Sequence, residues 1–307
     1  MCPKTASTLG LCAVVMLLAV SGCAAPDAEP VARLEIDEPT LELPFPEWRS
    51  LHLTWTPEKE VPRSGPLLVF LHLLNEDGEL VRTFDHPLDG EWVPNQPLSY
   101  EVRIFQSALG PPLEPGDYTL TAGLYTADGE RFPLTVGDNE VSSPRRREYR
   151  LATVSVPEVS PDAPGFAFAN NWGALETGED AQILGRRWLE DDGVIRVLNL
   201  EVPGSVWMRL RIPAEDGDGS GRTRSGRKLA LRDSGQAPTL EVASSCSGAV
   251  RILEVPGTHE EVLPVFPQAE SPECTLRLSA NYRLVDATTL REDVAALEII
   301  AWTPAEL

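Results

Sequence analysis

The sequence predicts an all-β protein of two tandem β-sandwiches, an immunoglobulin-like one followed by one of jelly-roll, carbohydrate-binding-like type. Three observations carry that prediction. Apolar and polar residues alternate through many short segments, the period of a half-buried strand. Asp-Gly pairs fall between such segments, where hairpins need their turns. No long stretch sustains helical periodicity; only residues 287–296 admit a helical turn.

Residues 1–22 read as a signal peptide. Lys4 is their one charge, and Leu9 to Val20 is an uncharged run of twelve residues. That run is too short to span a bilayer and suits a signal-peptide core. Val20-Ser21-Gly22-Cys23, following Leu17-Leu18-Ala19, resembles a bacterial lipobox. The resemblance implies cleavage before Cys23 and a lipid on its sulfur, so the membrane is an expected partner through that anchor. Ala24 stands where lipoproteins retained at an inner membrane carry aspartate, which implies the outer membrane in a cell with two. Residues 23–30, small and polar with two prolines, form a tether that holds the first domain off the membrane.

Residues 31–156 form the first sandwich. Leu51, Leu53 and Trp55 alternate with His52 and the threonines; Leu98, Tyr100, Val102 and Ile104 repeat the pattern, as do Tyr118, Leu120, Ala122 and Leu124. Leu67 to Leu74 is apolar on both faces apart from His72, the mark of a central strand. Glu76-Asp77-Gly78-Glu79 and Ala127-Asp128-Gly129-Glu130 are hairpin turns. Residues 157–165 are the linker, stiffened by prolines that cannot donate to a ladder. Residues 166–307 are the second sandwich, with strands expected at 194–200, 206–212, 229–232, 240–243, 250–255, 276–282 and 297–302.

The chain carries a formal charge of -21, and loss of Lys4 with the leader makes it -22. The excess is not a tail: residues 30–157 hold 11 basic and 21 acidic groups, residues 164–307 hold 14 and 22. Nucleic acid and anionic lipid surfaces would repel such a chain, so neither is an expected partner. Of five cysteines, Cys2 and Cys12 leave with the signal and Cys23 takes the lipid. In an oxidising compartment the remaining Cys246 and Cys274 most simply pair with each other; free thiols or a metal pair are the alternatives.

Leu113-Glu114-Pro115-Gly116-Asp117-Tyr118 resembles the tyrosine corner of immunoglobulin-like sandwiches, where the phenol caps nearby backbone. The wider pattern comprises Phe70-Leu71-His72-Leu73-Leu74, Asp77-Gly78, Asp85-His86-Pro87, Gly123-Leu124-Tyr125 and Asp128-Gly129-Glu130-Arg131. It resembles accessory β-sandwich domains found beside bacterial membrane glycosyltransferases. Asn171-Trp172-Gly173, Glu176 and Gly185-Arg186-Arg187-Trp188 resemble the carbohydrate-binding-like sandwich that often accompanies them. The resemblance implies a fold and points toward glycans. The membrane helices and acidic catalytic loops of the transferases are absent from this sequence.

Catalytic patterns stop short of completion. His259-Glu260-Glu261-Val262-Leu263 begins like a zincin box but has leucine where the second histidine belongs, so no zinc site is expected. Asp216-Gly217-Asp218-Gly219-Ser220-Gly221 matches half of a calcium loop, with Arg227 at the position of the bidentate glutamate; a flexible loop is the better reading. His52 is expected exposed and His72 satisfied in the core, while Asp85-His86 lacks a serine in a Gly-x-Ser-x-Gly elbow. Trp172 and Trp188 read as core aromatics. Trp207 alternates with Arg209 and Arg211, opposite Val206, Met208, Leu210 and Ile212. It is therefore expected on the solvated face, where an indole between guanidinium groups stacks a sugar ring or is covered by the arginine stems.

These readings converge on a non-catalytic envelope lipoprotein that needs no cofactor and presents sandwiches for binding, with envelope glycan as the sharper expectation. The alternative is a structural or assembly subunit that docks envelope proteins.

Overall fold

A computed structural model describes residues 29–62, 65–137, 141–143, 147–177, 183–213, 227–231, 237–268, 273–286 and 292–305. Every regular element among them is a strand. The lipobox with Cys23, and the Asp216–Gly221 loop, lie outside the described residues.

The first sandwich follows immunoglobulin-like logic. One sheet orders Leu134–Val136, Ala32–Ile36, Trp48–Pro57 and Leu98–Phe105; the other orders Val141–Ser143, Glu148–Val156, Gly116–Thr126, Leu67–Leu74 and Leu80–Thr83. The first strand divides between them. Ala32–Ile36 pairs antiparallel with Trp48–Pro57, and Thr40–Glu42 pairs parallel with Glu148–Val156. Pro39, unable to donate to a ladder, sits at the crossover. Leu34, Leu51, Leu53, Trp55, Val69, Leu71 and Leu120 fill the space between the sheets. The tyrosine corner closes as its sequence implied, with Tyr118 O–H donating to the Glu114 carbonyl at 2.7 Å. Both Asp-Gly turns form, with Gly78 at φ 75° and Gly129 at φ 88°, a backbone region open to glycine at little cost.

The second sandwich pairs two five-stranded sheets. One orders Gly165–Ala169, Gly193–Leu198, Cys274–Ala280, Thr239–Ser244 and Val250–Glu254; the other orders Glu176–Thr177, Gly185–Leu189, Ala295–Pro304, Gly204–Ile212 and Gly257–Val265. Counting eight strands from Gly185–Leu189, with the small sheet of Arg227–Leu231, Tyr282–Asp286 and Glu292–Asp293 set aside, the sheets read 2-7-4-5 and 1-8-3-6. That order is a jelly roll. Cys246 and Cys274 form a disulfide across 5.4 Å between Cα atoms. The helical turn expected within 287–296 is corrected for its described part: Glu292–Asp293 and Ala295 onward are strand. Val294, Ala295 and Ala296 are fully buried, and a continuous apolar run suits a central strand as well as a helix.

The two sandwiches share a seam. Gly185–Leu189 pairs with only Ala295, Ala296 and Leu297, so the rest of Ala295–Pro304 is an open edge. The first domain covers it. Ala108 N–H donates to the Ile300 carbonyl at 2.8 Å, Ile300 N–H to Ser107 Oγ at 3.2 Å, and Trp302 N–H to the Pro46 carbonyl at 2.9 Å. Leu109, from the same loop, packs into the jelly-roll core, while Trp207, Ile299 and Ala301 join the core of the first sandwich.

Candidate functional site

The outer face of Leu98–Phe105 and the adjoining face of Gly204–Ile212 meet at the seam and leave a cleft of about 220 Å³. Alternation along Leu98–Phe105 sends Glu101, Arg103 and Phe105 to the face opposite Ile104. Antiparallel pairing of Gly204–Ile212 with Gly257–Val265 sets Arg209 opposite Glu260. Asp85, His86 and Asp89, in and around the short strand His86–Pro87 of the first domain, complete the wall. A larger hollow of about 440 Å³ lies where the first strand changes sheets, but core side chains such as Leu34, Val136 and Leu151 make much of its lining.

Trp207 is the floor of the cleft, and here the sequence expectation is corrected. It is not solvated: only 1% of its surface is exposed. The Phe105 ring meets it edge-on at 4.9 Å between centroids, and the Arg103 and Arg209 guanidinium groups lie over it at 5.6 and 5.9 Å. An indole covered in this way offers no open face for a sugar ring. Alternation foretold that Trp207 faces away from the jelly-roll core; it could not foretell that another domain occupies that side.

Polar groups converge above this floor. Arg209 donates from Nε and Nη2 to Glu260 Oε1 at 3.0 and 2.7 Å. Arg103 lies 3.5 Å from Glu260 and 3.8 Å from Glu101, with its cation also over Trp48. Glu260 thereby links both domains. His86 Nδ1–H donates to the Phe84 carbonyl at 2.9 Å, so Nε2 accepts from the Tyr100 hydroxyl at 3.0 Å. Burial holds His86 below the ordinary histidine range and raises the Tyr100 phenol, which keeps both neutral. Sequence reasoning missed Arg103, Tyr100, His86 and Asp89 as a group, since no ladder joins them and they meet only where one sheet packs beside the other.

Arg211 does not join this cleft. Its Nε donates to Glu298 Oε1 at 2.6 Å, and Arg186 reaches the same oxygen at 3.0 Å. Both cations lie over Trp188, whose indole N–H donates to Glu176. Trp188 is buried and Trp172 half-buried against Phe168.

The other histidines sort differently. His52 is exposed, 3.2 Å from Asp37. His72 is satisfied but not in the core between sheets, which corrects the second half of that expectation. It stacks on Phe70 at 4.7 Å on the outer face and meets Glu148 at 3.2 Å and Asp85 at 3.6 Å. The hydrogen bond from His72, with a second from Thr121, holds the Glu148 carboxyl below its ordinary value despite burial. Asp85 goes the other way, raised by burial. His259 Nε2 is engaged by the Glu254 carbonyl. Among the described residues no three His, Cys, Asp or Glu side chains are grouped to hold a metal ion, and no helix is long and apolar enough to cross a membrane.

No family model and no curated protein matches this chain. Among solved structures, a β-glucuronidase from Bacteroides uniformis is similar at 12% identity and a TM-score of 0.27, over 91% of this chain and 31% of that one. Tripeptidyl peptidase 2 is similar at 10% identity and a TM-score of 0.22, over 87% of this chain and 20% of that one. The chain thus spans less than a third of the length of either. Scores this low carry no argument about activity, so function is read from the residues of the chain itself.

Proposed function

We propose that this chain is a non-catalytic lipoprotein of the bacterial cell envelope, fastened through Cys23, whose paired sandwiches bind envelope glycan in the seam cleft. The observation that supports binding there is the convergence of Tyr100, Arg103, Arg209, Asp89 and Glu260 on one concavity. Strands from two domains supply all of these groups but Asp89, which lies outside the strands, and junctions between domains are preferred places for small-ligand sites. Glycan suits such a lining because its hydroxyls both donate and accept. The resemblance of both halves to sandwiches that accompany membrane glycosyltransferases leans the same way. The lipobox supports the anchor, and Ala24 supports an outer-membrane address in a cell with two membranes.

Mass spectrometry of native material tests the anchor: the expected N-terminus is Cys23 carrying acyl chains, and an uncut leader or a bare thiol overturns it. A glycan array probed with the folded protein tests the ligand, with silence counting against it. The second reading, an assembly subunit, draws on the strand Val250–Glu254. It closes one edge of its sheet, with Val250 and Ile252 48% and 66% exposed. Unpaired apolar edges invite another chain. Cross-linking in cells that recovers one stoichiometric protein, with no sugar affinity, favours that reading.

A further inference from the structure

We propose that His86 is an acid-released latch on the wall of the seam cleft: its neutral ring ties the margins of the first sandwich's two sheets, and its protonated ring lets residues 86–89 swing out. The consequence for a ligand rests on the reading above that the cleft is the binding place; the latch itself does not.

The tie is a side-chain bridge where the backbone supplies none. His86–Pro87 lies against Leu67–Leu74 in one sheet, with Val69 opposite His86 and Leu68 opposite Pro87. Leu98–Phe105 is the last strand of the other sheet, and no ladder joins the two. Across that gap His86 Nε2 meets the Tyr100 hydroxyl at 3.0 Å, with the rings edge-on at 5.6 Å. The segment is otherwise lightly held. Its strand has two residues, Pro87 has no N–H to give, and Leu88 N–H donates to the Leu67 carbonyl at 2.9 Å. Phe84 is fixed more firmly. It is 3% exposed and edge-on to Phe105 at 5.2 Å, an apolar contact that a proton leaves alone, and so it is the pivot.

The bridge works in one protonation state. The Phe84 carbonyl can only accept, so Nδ1 carries the hydrogen and Nε2 is bare for the Tyr100 O–H. A proton on Nε2 sets donor against donor. The hydroxyl does not turn over without loss: among the described residues it has no other acceptor, and Tyr100 is 9% exposed. A buried donor left unmet is costly, whereas releasing a two-residue edge strand into water breaks little.

The surroundings set the pH range. Burial holds the ring below the ordinary histidine range, against the opposing pull of the Phe84 carbonyl, Asp85 and Asp89. Asp85 is itself held by the Leu71 N–H and lies 3.6 Å from His72 on Leu67–Leu74. Glu101 and Arg103 of Leu98–Phe105 share the cleft with His86, as do Arg209 and Glu260 of the jelly roll. These guanidinium groups lie against these carboxylates, so neither is an unmatched cation that keeps the proton away. In the open segment the ring regains its ordinary 6.5. Opening therefore gains as pH falls below 6.5 and levels off once the closed ring is itself protonated.

Hydrogen exchange of the intact folded protein, corrected for intrinsic rates, tests this without any ligand. Opening read at the Leu88 amide is expected to rise about tenfold per pH unit below 6.5, while Leu120 in a central strand stays more protected throughout. His86→Gln is expected to remove that dependence. Tyr100→Phe is expected to expose the Leu88 amide at neutral pH and to raise the His86 titration midpoint followed by NMR. Leu88 exchanging in step with Leu120 reports global unfolding alone and overturns the latch. So does His86 titrating with no change at Leu88, which shows that the hydroxyl has turned over and the bridge persists. A glycan that binds the cleft is expected to be released over the same pH range; silence of every glycan overturns the binding reading and leaves the latch standing.

Discussion

Ser107 is a small residue with a large share of the seam. Its Oγ accepts from Leu109 N–H and Ile300 N–H, each at 3.2 Å, and both bonds are buried. Ser107→Ala leaves two buried donors unmet and is expected to cost about 2–4 kcal/mol, read from urea unfolding midpoints. Gly123 matters for a different reason. A Cβ there would collide with the Phe70 ring and stand 2.7 Å from the Arg147 carbonyl oxygen, so Gly123→Ala is expected to destabilise by about 1–3 kcal/mol in the same measurement. His86 predicts a pH dependence. Its folded value is lowered from the ordinary 6.5, so the unfolded chain takes up the proton first. The stability it contributes is whole above 6.5 and is lost as pH falls below it. Denaturant midpoints are expected to drop between about pH 7 and about pH 5.5, and to drop less in His86→Gln.

At the scale of elements, period-two patterning made most strands legible. Leu51, Leu53 and Trp55 point inward and His52 outward, as alternation requires. The tyrosine corner and the Asp-Gly turns were equally readable, since local chemistry alone decides them. Gly204–Ile212 was legible only on one side. Its apolar face was plain, but Trp207 is buried by strands from another part of the chain, and no local pattern encodes that contact. For the same reason the candidate site was half visible: Trp207 and Arg209 were flagged, Arg211 belongs to Glu298 and Trp188, and Arg103 had no signal beyond its place in an alternating strand. The cysteine pair was readable by subtraction. The disulfide closes a sequence separation of 28 residues, and Cys246→Ser with Cys274→Ser is expected to cost about 3–4 kcal/mol on the chain-entropy model, measured against the oxidised protein.

Across the whole molecule, the seam predicts that both sandwiches unfold together. Shared core side chains, two main-chain hydrogen bonds and a third from Ile300 N–H to the Ser107 hydroxyl make separate melting expensive. Calorimetry is expected to give one transition whose calorimetric and van't Hoff enthalpies agree. Trp207→Ala, which empties the junction at a cost of about 3–5 kcal/mol, is expected to split it into two. The proline-rich stretch at 157–165 invites a cut between two portable modules, yet the fold forbids the exchange. Each half finishes the other: one lends Leu109, the other Trp207, and an orphaned jelly roll would show water a bare strand margin and an unroofed indole. A gene duplicated or recombined at that point would deliver fragments prone to clump, so this pair is constrained to be inherited as a unit.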